Sequence, residues 1–424
     1  MALITKAPRG TEDKLPANIY KWQTVEKITR AVAETYGCKE IRTPTFEHTE
    51  LFRRGMGGTS DVVQKEMYTF NDKKNRSITL KPEGTAGAAR AAIEHGLLGQ
   101  ALPLKLFYFT SCFRYEAPQS GRLREHRQFG VEFFGANKPT ADAEVISVAY
   151  DVFKMLGLKD IVLEINSIGC PECRSEYKKE LIGFYENKSM CELCTERLSR
   201  NPLRLLDCKN EQCREINKTA PVITKFLCEN CEKHFDAVKA TLEGLEIGYT
   251  ENPRLVRGLD YYTNTVFEFK SNSLGAQDTI CAGGRYDGLA KELGGNPVSG
   301  LGFGMGLDRL IMVMEAQKLN FEPAKTCDIY IASLDERAEL ISAKLIKSLR
   351  GLGFWAETDL AGRGLNAQMK YADKMGARFS MVLGSDELES NRAVIKNMKS
   401  GERFEVSIRE NFAENVGALL MDFN

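Results

Sequence analysis

Apolar and polar positions recur with two different periods along this chain and predict an order of helices and strands. Apolar residues three or four apart predict amphipathic helices at Ile19–Tyr36 and Ala141–Leu156. Alternation with a period of two predicts an antiparallel pair of strands at Leu104–Arg114 and Gln128–Phe134, joined by the polar loop Tyr115–Arg127. Further strands are expected near Ile41 and at Ile161–Asn166, Thr265–Lys270, Thr279–Ala282 and Gly300–Gly306, and a helix is expected to begin near Leu307.

After Pro323 the pattern changes to strands that alternate with helices. This order predicts a βαβ arrangement with a mixed sheet, compact enough to fold alone. The strands are expected at Ile329–Ala332, Phe354–Glu357, Phe379–Gly384, Arg392–Lys396 and Phe404–Ile408, and the helices at Glu336–Arg350 and Ala367–Met375.

Composition describes an ordinary globular protein. A chain of 424 residues exceeds the usual size of one core, so two or three domains are expected. The 58 basic and 58 acidic residues cancel, which disfavours a globally basic nucleic-acid binder but leaves a local basic patch open. No apolar run resembles a signal peptide or approaches the roughly 20 residues of a membrane span. We therefore expect no membrane partner and a cytoplasmic location, where thiols stay reduced.

Arginine, aspartate and two tyrosines come together at the entrance to a predicted strand, in the stretch Leu255–Glu268. The guanidinium of Arg257 can grip a carboxylate and a phosphate in fixed fork geometry. Tyr261 and Tyr262 can supply stacking surface and hydroxyls for a small polar ring. The plainer interpretation is a turn in which Arg257 pairs with Asp260.

Three further segments carry polar side chains of chemical interest. On the antiparallel pair, Arg114, Gln128 and Glu132 can share one face and bind a polar ligand, or they can form a salt-bridged sheet surface. The glycine-rich strand before Arg309 lacks the signatures of a P-loop and of a dinucleotide-binding turn. It can lie against a flat ring or simply pack tightly. In the third segment Glu83 and Thr85 can bind an ammonium group or form an acidic turn.

Together these segments resemble the histidyl-tRNA synthetase family of the class II aminoacyl-tRNA synthetases, and the resemblance covers nearly the whole chain. Its class II motifs are matched by Ile41–Glu47, Phe113–Glu132 and Gly300–Arg309, and its two histidine-specific motifs by Arg257–Tyr262 and Gly283–Gly288. The resemblance implies an α+β catalytic domain with an antiparallel sheet (1–168 and 249–322). It also implies a cysteine-rich insertion (169–248) and a C-terminal α/β anticodon-binding domain (326–424).

The resemblance also implies which residues bind histidine. Glu83, Thr85 and Gln128 are expected to hold its ammonium and carboxylate groups. Glu132 and Tyr262 are expected to face the imidazole, with Tyr261 and Tyr286 shaping the pocket. A buried Glu132 carboxylate needs a donor, and the imidazole N–H is expected to provide it.

For ATP, the resemblance implies a site built from Arg114, Glu116, Arg122, His126 and Arg309. Arg114 is expected to contact the α-phosphate and Arg309 the distal phosphates. Arg257 is expected to lie between the carboxylate and the α-phosphate, where other class II enzymes place a metal ion. His126 replaces the usual phenylalanine that stacks on adenine, and Ala117 stands where many relatives carry arginine.

The activity so implied is histidine–tRNA ligation: ATP, accompanied by Mg²⁺, activates L-histidine to the adenylate, and tRNA(His) receives it. The family also implies a homodimer. Two rivals share the fold. One is the synthetase-like regulatory subunit of ATP phosphoribosyltransferase, which degrades the catalytic motifs and lacks the anticodon-binding domain. The other is a non-catalytic tRNA-binding module.

Eight of the twelve cysteines fall between 170 and 231. They form four closely spaced pairs, which suffice for one or two four-thiolate zinc sites of a structural kind. Disulfides and unliganded packing cysteines are the alternatives, and His234 can replace one cysteine as a ligand. The pairs are Cys170 with Cys173, Cys191 with Cys194, Cys208 with Cys213 and Cys228 with Cys231.

Overall fold

The computed structural model describes residues 5–58, 60–119, 121–273 and 278–423. The chain divides into two compact units, one that ends at Glu322 and one that begins at Pro323. Within these ranges, none of the helices combines the length and the apolarity needed to cross a lipid bilayer.

The first unit is built on a large sheet and a small one. Its strands are β1 (Lys39–Glu40), β2 (Phe46–His48), β3 (Thr69–Asn71), β4 (Ser77–Leu80), β5 (Leu104–Phe113), β6 (Glu125–Phe134), β7 (Ile161–Ser167), β8 (Thr250–Glu251), β9 (Thr263–Ser271), β10 (Thr279–Arg285) and β11 (Gly300–Gly306). The large sheet has the order β1-β5-β6-β11-β10-β9-β7-β8, and β2-β4-β3 form the small one. Only the edge strands β1 and β8 run parallel to their neighbours, so the predicted antiparallel α+β fold is confirmed.

Ten helices accompany these strands in the described part of this unit. They are α1 (Ile19–Thr35), α2 (Thr49–Met56), α3 (Thr85–Glu94), α4 (Pro139–Met155), α5 (Pro171–Tyr185), α6 (Glu192–Arg200), α7 (Glu211–Asn217), α8 (Glu229–Gly244), α9 (Leu289–Glu292) and α10 (Leu307–Ala316). Short helical turns lie at Val62–Glu66, Leu97–Gly99, Pro202–Leu205 and Ile223–Phe226.

Alternation along β6 assigns the two faces of the sheet. Phe129, Val131 and Phe133 are buried in the main apolar core, together with residues of α1, α4 and α10. Because successive side chains of a strand point to opposite faces, Gln128 and Glu132 lie on the other face. The sheet therefore has one face covered by helices and one face that carries polar chemistry.

The cysteine-rich segment lies between β7 and β8 and is helical, from α5 to α8. Its apolar residues Tyr177, Leu181 and Leu205 belong to the same buried cluster as Tyr262 and Tyr286 of the sheet. The insertion therefore packs directly behind the tyrosines that sequence analysis singled out.

The second unit has a five-stranded mixed sheet in the order β13-β12-β14-β15-β16. Alternate residues of β12 enter two different apolar clusters on its two faces, as expected for a strand covered on both sides. The predicted α/β fold is confirmed. Its elements are β12 (Ile329–Ser333), α11 (Glu336–Gly351), β13 (Ala356–Thr358), α12 (Leu365–Lys374), β14 (Phe379–Leu383), α13 (Ser385–Ser390), β15 (Arg392–Asn397), β16 (Arg403–Ser407) and α14 (Phe412–Asp422).

Several predicted boundaries are wrong by one to three residues, and β1 and β6 are two examples. The strand expected near Ile41 consists of Lys39–Glu40, although the Ile41 N–H still donates to the Phe107 carbonyl at 2.8 Å. The loop expected at Tyr115–Arg127 ends earlier, because Glu125 already pairs with Phe113 in the β5–β6 ladder. Polar side chains at the end of a two-stranded extension gave no sign in the sequence that the ladder continues.

Candidate active site

A cavity of about 530 Å³ lies between α1, the start of α10 and the strands β6, β10 and β11. Sequence analysis assigned five residues to ATP, and all of them line this cavity, together with Arg257 and Gln128. The five are Arg114, Glu116, Arg122, His126 and Arg309.

The cavity is lined by six cationic side chains and four carboxylate groups, so positive charge is in excess. Burial, followed by the charges of the nearby Arg122 and Arg114, lowers the pKa of Arg309. Burial, with the charges of Arg114 and Arg309, lowers the pKa of His126 to about 3, so its imidazole is neutral. Guanidinium groups placed this close together are suited to bind a polyphosphate.

Backbone carbonyls hold the arginines in place. The Arg114 Nε donates to the Pro82 carbonyl at 2.9 Å. Arg309 donates to the carbonyls of Gly121 at 2.7 Å and Thr279 at 2.8 Å. These contacts position the cations without neutralising them, so their charge stays available to a ligand.

The other six predicted histidine-binding residues do not line the cavity but contact one another in a polar cluster, in which five are buried and Tyr261 is half-buried. They are Glu83, Thr85, Glu132, Tyr261, Tyr262 and Tyr286. Gln128 connects the two regions, because it lines the cavity and its Oε1 accepts the Gly84 N–H at 3.1 Å. The structure thus separates a nucleotide-sized cavity from a closed polar cluster.

Glu132 is the centre of that cluster. It is fully buried, and its carboxylate accepts hydrogen bonds from Thr85 at 2.7 Å, Tyr108 at 2.8 Å and the Tyr286 hydroxyl. Because an ionised carboxylate offers about four acceptor positions, these three hydroxyl groups leave room for one more donor, and the expected contact to the ligand's imidazole stays a prediction. The carboxylate orients the hydroxyl groups around it, as well as any ligand.

Burial raises the pKa of Glu132 to about 8. The pKa of this carboxyl group is higher in the folded chain than in the unfolded chain, where it is near 4.5. Its contribution to stability is therefore fully present at pH values below 4.5. That stabilisation is lost as the pH rises to about 8. We expect the unfolding free energy of the ligand-free protein to fall between pH 5 and 8, measured by urea denaturation, and Glu132→Gln to flatten this slope. An unchanged slope in the variant would contradict the assignment.

Glu83 lies at the start of α3. Its carboxylate accepts the backbone N–H groups of Thr85 at 2.9 Å and Ala86 at 2.8 Å, which are unpaired donors of the first helical turn. Burial raises the pKa of Glu83. A second buried carboxyl next to Glu132 gives the cluster a preference for a cationic partner.

Three glycines of β11 make room for this polar face. A Cβ atom on Gly302 would overlap the Glu132 carboxylate, one on Gly304 would overlap the Gln128 amide, and one on Gly300 would overlap the ring of Tyr286. Of the two interpretations of this strand, tight packing is right at these three glycines, because side chains of the chain itself lie directly against them.

We expect Gly302→Ala to lower the unfolding free energy by about 1–3 kcal/mol, because the strand backbone cannot move away from Glu132. Gly306→Ala is the matched control on the same strand, since its Cβ would meet only Arg309 at an ordinary 3.9 Å. Equal thermal unfolding midpoints for the two variants would contradict this account of the glycines.

Arg257 lies where the cavity meets the buried cluster. Its guanidinium forms an ion pair with Glu268 and lies 5.8 Å from the centroid of the Tyr262 ring. Its Nε is buried and has no hydrogen-bond acceptor among the described residues. Arg257 is therefore placed to contact a ligand that spans both regions.

Sequence reasoning missed three residues of this site. Tyr108 packs its ring between Gly84 and Gly130 and holds Glu132. Glu268 holds Arg257 and accepts the Thr279 hydroxyl at 3.0 Å. Asp308 accepts the Trp22 indole N–H at 3.1 Å at the edge of the cavity. Two of the three could have been found in the sequence. Glu268 is a charged residue within an otherwise apolar strand, and Asp308 is an acidic residue in the first helical turn after the glycine-rich strand.

The eight insertion cysteines form two groups of four. Within each group the sulfur atoms lie within 4.8 Å of one another, so each group has the donor set and the size for one metal ion. One group is Cys170, Cys173, Cys228 and Cys231, and the other is Cys191, Cys194, Cys208 and Cys213.

Two alternatives for these cysteines are wrong. All twelve cysteines are free thiols, so none forms a disulfide. His234 does not join either group, because its Nε2 lies 3.3 Å from the Asp142 carboxylate. The four cysteines outside the insertion were expected to be ordinary packing residues, and all four are buried: Cys38, Cys112, Cys281 and Cys327.

Comparison with known proteins agrees with this geometry. The profile of the family described as Histidyl-tRNA synthetase matches residues 10–310, and that of the Anticodon binding domain matches 328–416. The histidine–tRNA ligase of Acetivibrio thermocellus is 52% identical over 408 residues, which cover 96% of this chain and 98% of that protein.

Two solved structures are similar as well. The apo histidyl-tRNA synthetase of S. aureus has a TM-score of 0.82 and 38% identity, covering 99% of this chain and 100% of its own. A Bacillus halodurans C protein described as an ATP phosphoribosyltransferase regulatory subunit/histidyl-tRNA synthetase has 23% identity and a TM-score of 0.64, covering 88% and 97%, which shows the shared fold alone. From the family profile and the full-length relative, this chain belongs to the histidyl-tRNA synthetase family.

Proposed function

We propose that this chain is a histidine–tRNA ligase, which activates L-histidine with ATP and transfers it to the 3′ end of tRNA(His). One observation carries the proposal: a cationic cavity that suits ATP meets a buried acidic and tyrosine-rich cluster at Arg257. The full-length similarity to histidine–tRNA ligases supports it.

ATP fits the cationic cavity by charge and by shape. Arg114 is proposed to contact the α-phosphate, and Arg122 and Arg309 the distal phosphates, since all three line the cavity. Glu116, held by Arg122, is proposed to orient the base side of the site. A neutral His126 imidazole stacks on adenine without repelling it. Mg²⁺ arrives with ATP and offsets charge on its phosphates.

Histidine is proposed to enter the cluster beside the cavity. Glu83, Thr85 and Gln128 hold its ammonium and carboxylate groups, because Gln128 lines the cavity and its Oε1 accepts the N–H of Gly84, which lies between the other two in the chain. Glu132 and Tyr262 face the imidazole. Tyr261 and Tyr286 form the walls, with ring centroids 5.6 Å apart.

The chemical step needs positioning and charge more than covalent help. An oxygen of the histidine carboxylate attacks the α-phosphorus, the bond to the bridging oxygen breaks, and pyrophosphate leaves with those electrons. Arg257 is proposed to bridge the two reacting groups and to stabilise the charge that develops. A ribose hydroxyl of the terminal adenosine of tRNA(His) then attacks the carbonyl carbon, and AMP leaves.

The remaining parts of the proposal follow from the family. Residues 1–168 and 249–322 are proposed as the catalytic domain, 169–248 as an insertion domain, and 326–424 as the domain that binds the anticodon, since an anticodon-binding profile matches it. We propose a homodimer through the region of Ile41–Glu47. We also propose a cytoplasmic location, where protein synthesis occurs.

The regulatory-subunit alternative is less supported. The residues proposed to bind phosphates, Arg114, Arg257 and Arg309, are all present and line the cavity. The chain also has the second unit, which matches the anticodon-binding profile. No observation favours a subunit that has lost the reaction.

Amino-acid-dependent exchange of pyrophosphate into ATP tests the function directly. With each of the twenty amino acids in turn, we expect exchange with histidine only. Exchange with no amino acid would refute the enzyme and favour the regulatory subunit. Exchange with another amino acid would refute the histidine assignment.

A further inference from the structure

We propose that the eight insertion cysteines hold two Zn²⁺ ions in separate four-thiolate sites, and that these sites fix the segment 260–264, which presents Tyr261 and Tyr262. Site one is Cys170, Cys173, Cys228 and Cys231; site two is Cys191, Cys194, Cys208 and Cys213. The claim that the zinc sites position the histidine pocket rests on the proposed function, whereas the claim that zinc is bound does not.

Sulfur spacing fits a single tetrahedral ion at each site. With Zn–S bonds of about 2.3 Å, neighbouring sulfurs of a tetrahedral site are about 3.8 Å apart. Cys191 and Cys208 are 3.8 Å apart, and Cys170 and Cys173 are 3.5 Å apart. A disulfide requires about 2.05 Å, and no pair is that close. Four soft ligands with no open position are the donor set of a structural zinc site.

The backbone prepares these sulfurs to carry negative charge. Cys170, Cys191 and Cys228 stand at the N-caps of α5, α6 and α8, where the helix dipole favours an anion. The Cys228 N–H donates to Cys173 Sγ at 3.1 Å, and the Cys191 N–H donates to Cys213 Sγ at 3.3 Å. A backbone N–H forms only a weak hydrogen bond to a neutral thiol, because its sulfur is a weak acceptor. The same N–H stabilises a negatively charged thiolate bound to a cation more strongly.

The order in which the pairs combine is nested. The first and fourth pairs make site one, and the second and third pairs make site two. Site one therefore ties the beginning of the insertion to its last helix, and site two closes the interior loop. Short helices with a small core of their own need such cross-links to hold one arrangement.

Site one contacts the segment after Tyr262. Arg174, the residue after Cys173, donates to the Tyr262 carbonyl at 2.8 Å. The Cys231 sulfur lies 3.3 Å from the side-chain oxygen of Asn264, a residue held in the left-handed region at φ 48°. Asn264 also exchanges two backbone hydrogen bonds with the residues just before Cys170, at 3.0 and 2.8 Å.

Site two is linked to the same segment through α6. Asn201 follows α6, which begins with the cysteines of site two, and its side-chain amide donates to Asp260 at 2.7 Å. Both sites are therefore connected by hydrogen bonds to the segment 260–264, which contains Tyr261 and Tyr262. Loss of either ion would weaken one of these two sets of contacts and would displace the proposed histidine pocket rather than the ATP cavity.

The first test is a metal count on the purified full-length protein by inductively coupled plasma mass spectrometry. We expect two zinc ions per chain in the wild type and one in Cys173→Ser and in Cys213→Ser. Cys38→Ala, a buried cysteine outside both sites, keeps two. Less than one zinc per wild-type chain would overturn the proposal, and stoichiometric iron would overturn the choice of metal. The wild-type count stands even if a variant fails to fold.

The second test measures the link to the pocket. In Cys173→Ser we expect the histidine KM in pyrophosphate exchange to rise about 10-fold or more, because small displacements of positioning groups are costly, with a much smaller change in the ATP KM. Equal changes in the two KM values would refute the link and leave the zinc count untouched. A wild-type protein with two zinc ions and no exchange with any amino acid would refute the proposed function instead.

Discussion

Arg257→Ala is expected to lower the rate of histidyl-adenylate formation by about 10²–10³-fold while the fold survives. The guanidinium lies where the ATP cavity meets the buried cluster, and its Nε has no acceptor among the described residues. A charge placed there can reach both a carboxylate and an α-phosphate. Histidine-dependent pyrophosphate exchange measures the rate, and circular dichroism checks the fold.

The fold should survive because Glu268 keeps other partners. It still accepts the Thr279 hydroxyl, and the Lys270 ammonium lies 3.9 Å away. Arg257→Lys should show an intermediate loss, since it keeps the charge but not the fork. Arg76→Ala, on an exposed surface pair, should exchange at the wild-type rate. Near-normal exchange in Arg257→Ala would remove this residue from the mechanism.

Glu132→Ala is expected to lower kcat/KM for histidine by at least about 10³-fold and to change the ATP KM far less. The carboxylate is the common acceptor of three hydroxyl groups, on Thr85, Tyr108 and Tyr286. Its removal disorders the walls of the pocket as well as the contact to the ligand. The ATP cavity is lined by other residues, so nucleotide binding should persist.

Glu132→Gln separates the two effects of that change. It retains the shape and part of the hydrogen bonding, so its stability should stay near that of the wild type. Glu132→Ala should lose about 1–3 kcal/mol for each hydroxyl left without an acceptor. Histidine and ATP titrations of both variants provide the comparison. A similar loss of affinity for the two substrates would contradict the assignment of Glu132 to the histidine side.

The sequence allowed much of the frame to be predicted, because its signals are local. The glycine-rich strand Gly300–Gly306 has the predicted bounds. Its glycines alternate with larger residues and a helical pattern follows at once, so both ends of the strand can be located in the sequence. The same holds for the helix that starts at Leu307. In the insertion, spacing alone predicted metal-binding cysteines, yet four pairs can combine in three ways. Only the folded chain shows the nested combination.

Contacts across the sheet could not be predicted. Tyr108 looks like any aromatic residue of a β-strand, and its role depends on Gly84 and Gly130, which make space for its ring. The pairing of Arg257 with Glu268 joins residues eleven apart across a turn, where Asp260 was the nearer acid. The donors of Glu132 come from three separate parts of the chain, so they cannot be identified from any single segment of the sequence.

A crystal structure of the protein with histidine and a non-hydrolysable ATP analogue would locate both substrates. We expect the imidazole beside Glu132 and Tyr262, and the Arg257 guanidinium between the histidine carboxylate and the α-phosphate. Histidine bound elsewhere, with Arg257 still directed only at Glu268, would contradict this expectation.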